Sequence, residues 1–127
     1  MLVNIPISVG ELVDKISILI VKQKNITDKN KLFHVNKELN FLQNVLYKNI
    51  NNSEIDNYLN ELIDINSKLW IIEDDIRDCE RNSQFEKKFI ELARSVYFTN
   101  DKRAKIKLNI NEKFGSELVE IKSYEKY

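Results

Sequence analysis

Leu69-Trp70-Ile71-Ile72-Glu73-Asp74-Asp75-Ile76-Arg77-Asp78-Cys79-Glu80-Arg81 closes the longest regular pattern in the chain. Ile55, Leu62, Leu69 and Ile76 recur every seven residues, and Tyr58, Ile65, Ile72 and Cys79 fill the position three further on. An a/d seam of this length predicts one long, coiled-coil-like helix with a single buried stripe. Beside it Leu59, Ile63, Asn66, Trp70, Glu73, Arg77 and Glu80 make a second stripe that starts apolar and ends charged. Two readings of that change stay open. Either the helix leaves the core and its far end is solvated, or Trp70, Glu73 and Arg77 line a partner or ligand surface. An indole beside a fixed charge pair suits recognition.

Outward from this helix the chain divides at its polar breaks. Residues 1–7 alternate and contain Pro6, so they read as an extended arm. Ser8-Val9-Gly10-Glu11 is a capping box opening a first helix to about Ile26, with Leu12, Val13, Ile16, Leu19, Ile20 and Ile26 inward. Thr27-Asp28 caps a second, whose core line is Leu32, Val35, Leu39, Leu42 and Leu46. After a polar loop at Asn49–Asn52, Ser53 with Asp56 caps the long third helix. Ser83 with Glu86 is read as a further capping box, opening a fourth helix with Phe85, Phe89, Leu92, Val96, Thr99, Arg103, Ile106 and Ile110 on one face. Gly115 suits the residue just past its end. Leu118-Val119-Glu120-Ile121 alternates as a strand does, and a small β pairing with the N-terminal arm is expected.

The fold class is therefore all-α: one domain, residues 1–127, an up-down bundle of two short and two long helices. At 127 residues the chain is long enough to bury a core. The long helices, about 27 and 30 residues, reach roughly 40–45 Å. A compact chain of this size has a radius of gyration near about 14 Å, so their hairpin should project, and a homodimer is the expected cover for its apolar flank.

Twenty basic and twenty acidic residues cancel, and no Lys/Arg block suggests a nucleic-acid footprint. No apolar run is long enough to insert in a membrane, and no signal peptide is expected. The lone Cys79 sits on the seam as a small hydrophobe. A cytoplasmic protein is the expectation. Sixteen asparagines and seventeen isoleucines point to an AT-rich bacterial or phage genome.

Three groups of residues invite chemistry. Glu11 and Asp14, with Asp75 and Asp78 among the acids of the third helix, could hold Mg²⁺ between helices, as all-helical nucleotide pyrophosphatases do. In an up-down bundle, however, the two sets lie at opposite ends of one subunit. Asn100 and Arg103 are the odd residues of the fourth helix. A guanidinium on a seam needs a carboxylate, and antiparallel pairing offers Glu61 or Asp64, with Asp14 in the same layer. The alternative is an anion site of Arg103, Lys107 and Lys15. His34, a single histidine, suggests neither zinc nor a triad.

Ile5-Pro6-Ile7-Ser8-Val9-Gly10-Glu11-Leu12-Val13-Asp14-Lys15-Ile16, the run from Leu69-Trp70 to Glu80, Glu91-Leu92-Ala93 through Thr99-Asn100-Asp101-Lys102-Arg103-Ala104, Gly115-Ser116-Glu117 and Lys122-Ser123-Tyr124 together resemble a family of small helical proteins in bacteria and marine phages. Some of its members occur near or fused to glycosyltransferases of surface-polysaccharide synthesis. The resemblance implies no activity and carries over no catalytic residue. It includes the polar positions Glu11, Asp14, Lys15, Glu73, Asp75, Arg77, Asn100, Asp101 and Arg103. The leading expectation is a dimeric binding or assembly module with a possible protein partner and no cofactor. The alternative is a small Mg²⁺-dependent enzyme acting on a nucleotide-linked or phosphorylated substrate.

Overall fold

The computed structural model describes residues 1–51 and 53–127, and these form four helices: α1 Val9–Asn25, α2 Lys29–Asn49, α3 Glu54–Arg81 and α4 Lys87–Lys113. The polar loop expected at Asn49–Asn52 is shorter, because Asn49 belongs to α2; Asn52 lies outside the described residues. No described residue is in a strand, and no helix is long and apolar enough to cross a membrane.

α1 is the centre. Its buried residues, Gly10, Leu12, Val13, Asp14, Ile16, Ser17, Leu19 and Val21, spread well beyond one narrow stripe, as a helix with neighbours on several sides requires. It packs against each of the other three helices, whereas α2 lies along α1. α3 and α4 pair antiparallel, with Lys113 bonded to Glu54 at 3.0 Å and the Phe114 ring edge-on to Tyr58. The core joins Leu12, Val13, Ile16 and Leu19 of α1 to Val35, Leu39 and Leu46 of α2, Ile55, Leu59 and Leu62 of α3, and Ile110 of α4. Burial fades along the hairpin: Leu69, Ile72 and Ile76 are half-buried, while Phe85 and Ile90 are exposed.

The helix ends differ in how far they follow local sequence. Ser8 Oγ accepts from the Glu11 N–H and Asp28 Oδ1 from the Lys31 N–H, so α1 and α2 begin at caps of the expected kind. Ser53 makes no side-chain cap. Ser83 does not open α4. It sits at positive φ (53°) as the residue past the end of α3, where its N–H bonds to the Glu80 carbonyl and that of Gln84 to the Cys79 carbonyl. This pair of bonds closes the α3 C-terminus as a Schellman turn, which takes precedence over a cap for α4. Gly115 ends α4 in the same way at φ 64°, with the Ser116 N–H on the Asn111 carbonyl.

The expected β pairing is absent. From Ser116 the chain turns back along α4, because the Ser116 hydroxyl takes the Val9 N–H at the start of α1 and Tyr127 reaches Asp101, Tyr97 and Phe98. We refer to residues 116–127 as the strap.

α1 meets α4 backbone to backbone at Gly10. Its N–H donates to Asn111 Oδ1 at 2.7 Å, and a Cβ there would stand 2.4 Å from the Lys107 carbonyl oxygen. Only glycine permits this approach. Gly10→Ala is expected to destabilise the fold by about 2–3 kcal/mol, the upper part of the overpacking range, measured by urea unfolding with an unchanged m-value. A loss below ~0.5 kcal/mol would show that the two helices are free to separate.

Candidate functional site

The polar centre of the bundle is built on Asp14, which α1 carries into the core with no solvent exposure. Its carboxylate receives the guanidinium of Arg103 from α4 side-on, with Nε on Oδ1 at 3.0 Å and Nη2 on Oδ2. From α3, Asn66 Nδ2 donates to Asp14 Oδ1 at 3.0 Å and to Ser17 Oγ at 2.7 Å, while the Ser17 hydroxyl donates to the Asp14 carbonyl. Three helices thus meet at one carboxylate. The hydrogen bonds that Arg103 donates to Asp14 raise its pKa against the desolvation that lowers it, so the guanidinium stays charged.

One turn further along α4, Lys107 continues the cluster. Its Nζ lies 2.7 Å from Glu11 Oε2, 2.8 Å from Glu120 Oε2 of the strap and 3.8 Å from Asp14 Oδ2. Burial, the largest single influence, disfavours the ammonium; hydrogen bonds to Glu11 and Glu120 outweigh it, and the pKa is raised. Glu120 in turn is held down to about 2 by Lys107 first and by Lys122, 3.0 Å from its other oxygen. Arg103, Lys107 and Lys122 thus face Glu11, Asp14 and Glu120, and the charges cancel. Among the described residues no buried side-chain nitrogen or oxygen lacks a partner.

Two open clefts flank this cluster and share Asn100 and Arg103. The smaller, of about 470 Å³, lies between α1, α3 and α4 and is lined by Trp70, Glu73, Arg77, Asn100 and Arg103 along with Lys22 and Asp74. Five of the six residues singled out for a ligand or partner surface are therefore adjacent. The sixth, Lys107, lines the larger cleft, about 1130 Å³, beneath the strap. The Glu73–Arg77 pair, 3.3 Å apart, is exposed on both sides and steers more than it stabilises.

Other expected groupings do not assemble. Arg103 pairs with Asp14 and not with Glu61 or Asp64, both of which are exposed, because the α3 residue in its layer is Asn66. Lys15 is exposed and lines neither cleft. Of the four carboxylates considered for Mg²⁺, Glu11 and Asp14 are engaged by Lys107 and Arg103, and Asp78 by Arg81 at 2.7 Å. Asp75 stands nine positions along α3 from Asn66, about 14 Å of helix, so the two pairs stay apart within this chain. Among the described residues no group of three or more His, Cys, Asp or Glu is placed to hold a metal. His34 is exposed, edge-on to Phe33.

Sequence reasoning passed over Ser17, Asn111, Glu120 and Tyr127. Ser17 and Asn111 each carried a faint signal, a small polar side chain beside the buried line of its helix. Glu120 and Tyr127 carried none, since only the path of the strap gives them partners.

The model of a family of unknown function, DUF6165, matches residues 3–127. The chain belongs to that family. No curated protein and no solved structure shows significant similarity to it. The match runs through α1, the clefts and the strap alike, so the polar cluster lies within the family's own domain.

The cluster makes two predictions. Arg103→Leu alone leaves a buried carboxylate facing an apolar group and should cost about 3–5 kcal/mol; Asp14→Leu with Arg103→Leu should recover most of it in chemical denaturation. No recovery would mean that Asn66 and Lys107 need the carboxylate as much as Arg103 does. The strap contact should depend on pH through Glu120. A carboxyl with a depressed pKa contributes fully above its ordinary value of 4.5 and loses that contribution as pH falls towards about 2. Amide resonances of residues 118–127 should therefore move to random-coil positions across that window, and Glu120→Gln should place them there already at pH 7.

Proposed function

We propose that the protein is a binding and assembly module acting as a homodimer, with the cleft around Trp70 as its recognition surface. One observation carries this reading: the ionisable groups gathered at the centre of the bundle neutralise one another. Groups committed to structural ion pairs stabilise a scaffold, whereas a catalyst needs acids and bases whose charge is available to substrate. What is left open to a partner is a half-buried indole flanked by Glu73, Arg77 and Asn100, the mixture of apolar area and orienting charge that favours recognition.

The second copy is argued from the far half of the α3–α4 hairpin. Phe85, Phe89 and Ile90 lie together near its turn, and Phe85 and Ile90 are each about half exposed at 49% and 54%. Pairing of two such ends covers both. The family resemblance adds a setting, in which the module assembles with glycosyltransferases of surface-polysaccharide synthesis in bacteria or their phages.

A second reading rests on a specific observation, that Arg103 and Lys107 both line the larger cleft. Loss of the strap would turn these cations towards a phosphorylated or nucleotide-linked substrate, with Mg²⁺ recruited from solution.

Sedimentation equilibrium tests the first reading directly. The chain should be dimeric at micromolar concentration, and Phe85→Glu with Ile90→Glu should make it monomeric with an unchanged circular dichroism spectrum. A monomer at all concentrations removes the dimer. A saturable rise in melting temperature with Mg²⁺ and a nucleotide or nucleotide sugar, and with neither alone, would replace the module by the enzyme.

A further inference from the structure

The strap is held at few points. Glu120 docks on Lys107, and Tyr127 donates its hydroxyl to Asp101 while its ring sits 5.3 Å from that of Tyr97 and 4.8 Å from that of Phe98. Between those anchors its side chains do little: Ile121 is 77% and Tyr124 78% exposed. So little apolar burial cannot hold a twelve-residue segment by itself.

The strap is also too long for its seat. From Lys107 back to Asp101 or Tyr97 is six to ten residues of helix, roughly 9 to 15 Å at 1.5 Å each. The seven steps from Glu120 to Tyr127 can extend to about 23–25 Å. The segment therefore arches, and the cleft of about 1130 Å³ beneath it has Asn100, Arg103 and Lys107 on its floor. A groove whose two ends are matched and whose middle is vacant fits its present occupant incompletely.

We infer that the α4 groove between Lys107 and Tyr97 is an acceptor site for an extended peptide of a partner protein that carries a carboxylate and, further along, an aromatic ring, and that residues 116–127 occupy it in cis as a displaceable strap. The chemistry is that of the occupant seen. The Lys107 ammonium, itself flanked by Glu11, receives a carboxylate, and the Tyr97–Phe98 pair with Asp101 receives a phenol ring and its hydroxyl. Tethering sustains the weak cis contact, because a short linker presents the strap at an effective concentration of the order of millimolar. A partner segment that binds more tightly than this displaces it. This site adjoins the Trp70 cleft at Asn100 and Arg103 but takes its ligand through Lys107, Tyr97, Phe98 and Asp101, and its test is independent of the dimer.

The test uses the full chain carrying Glu120→Ala and Tyr127→Ala, which removes both anchors and leaves the helices untouched. The probe is a fluorescein-labelled, C-terminally amidated peptide of the sequence of residues 116–127. Anisotropy should show saturable binding with a dissociation constant of about 0.1–1 mM, from the same effective concentration. Binding to the unmodified chain should be weaker by about two- to tenfold, because its own strap competes at a comparable effective concentration. Peptides with Glu120→Gln or Tyr127→Ala should lose most of the affinity. Equal binding to both proteins, no binding to a doubly substituted chain that keeps its melting transition, or indifference to the peptide's glutamate and tyrosine would each overturn the inference. If the double variant does not fold, excess unlabelled peptide added to the unmodified ¹⁵N-labelled chain decides the matter. Movement of the labelled residues 118–127 to random-coil positions as the peptide takes their place supports the groove, and its absence overturns it.

Discussion

A carboxylate placed on the buried face of a helix has to be answered, and the answer given to Asp14 organises the bundle. Desolvating the pair costs several kcal/mol per ion, which the bidentate, side-on guanidinium and the Asn66 amide offset without leaving a large surplus. Their effect lies more in register. Arg103 meets both oxygens only when α4 stands at one height against α1, and Asn66 bridges Asp14 and Ser17 only when α3 does. A shift of one turn in α4 would strand a charge in the core, and one in α3 would leave Asp14 and Ser17 without the Asn66 amide. Apolar seams of Leu and Ile have no such penalty, since neighbouring registers bury similar area.

The same layer explains why α1 and α4 come so close. Gly10 lets the helix backbones touch, and that contact brings Glu11 within reach of Lys107 one turn below Arg103. Lys107 is then nearly buried with one carboxylate on each side, Glu11 from α1 and Glu120 from the strap. The strap's position thus answers to the bundle's polar core: where Lys107 emerges, Glu120 supplies a second carboxylate opposite Glu11.

Much of this was legible in the residues. The heptads of α3, the caps of α1 and α2 and the glycine at the end of α4 act within one helix, and local patterns report them. Arg103 on a seam announced a buried ion pair, and Asp14 was in the right layer, but the choice of Asp14 over Glu61 or Asp64 depends on the rotation of α3. Rotation is set by packing against α1, which no spacing within α3 encodes. Ser83 and Glu86 show the same limit at closer range. The two residues satisfy the capping-box pattern, yet a turn of only a few residues cannot serve both helix ends, and the α3 carbonyls claimed Ser83. The strap was misread for a third reason. Alternating Leu118-Val119-Glu120-Ile121 is the pattern of a strand, but the Glu120 contact with Lys107 carries the segment along α4 instead of to the N-terminal arm, and a helix offers no edge to pair with.

The two clefts meet at Arg103 and Asn100, so the polar layer that fixes the helices also forms the boundary between them. Two nitrogens of Arg103 are committed to Asp14, while Nη1 reaches Asn100 Oδ1 only at 3.4 Å, long for a hydrogen bond. Nη1 is therefore the least committed of the three guanidinium nitrogens. Exchanging one long hydrogen bond for a shorter one is worth about a kcal/mol, so the Asp14 pair, and not the Asn100 contact, sets where Arg103 stands.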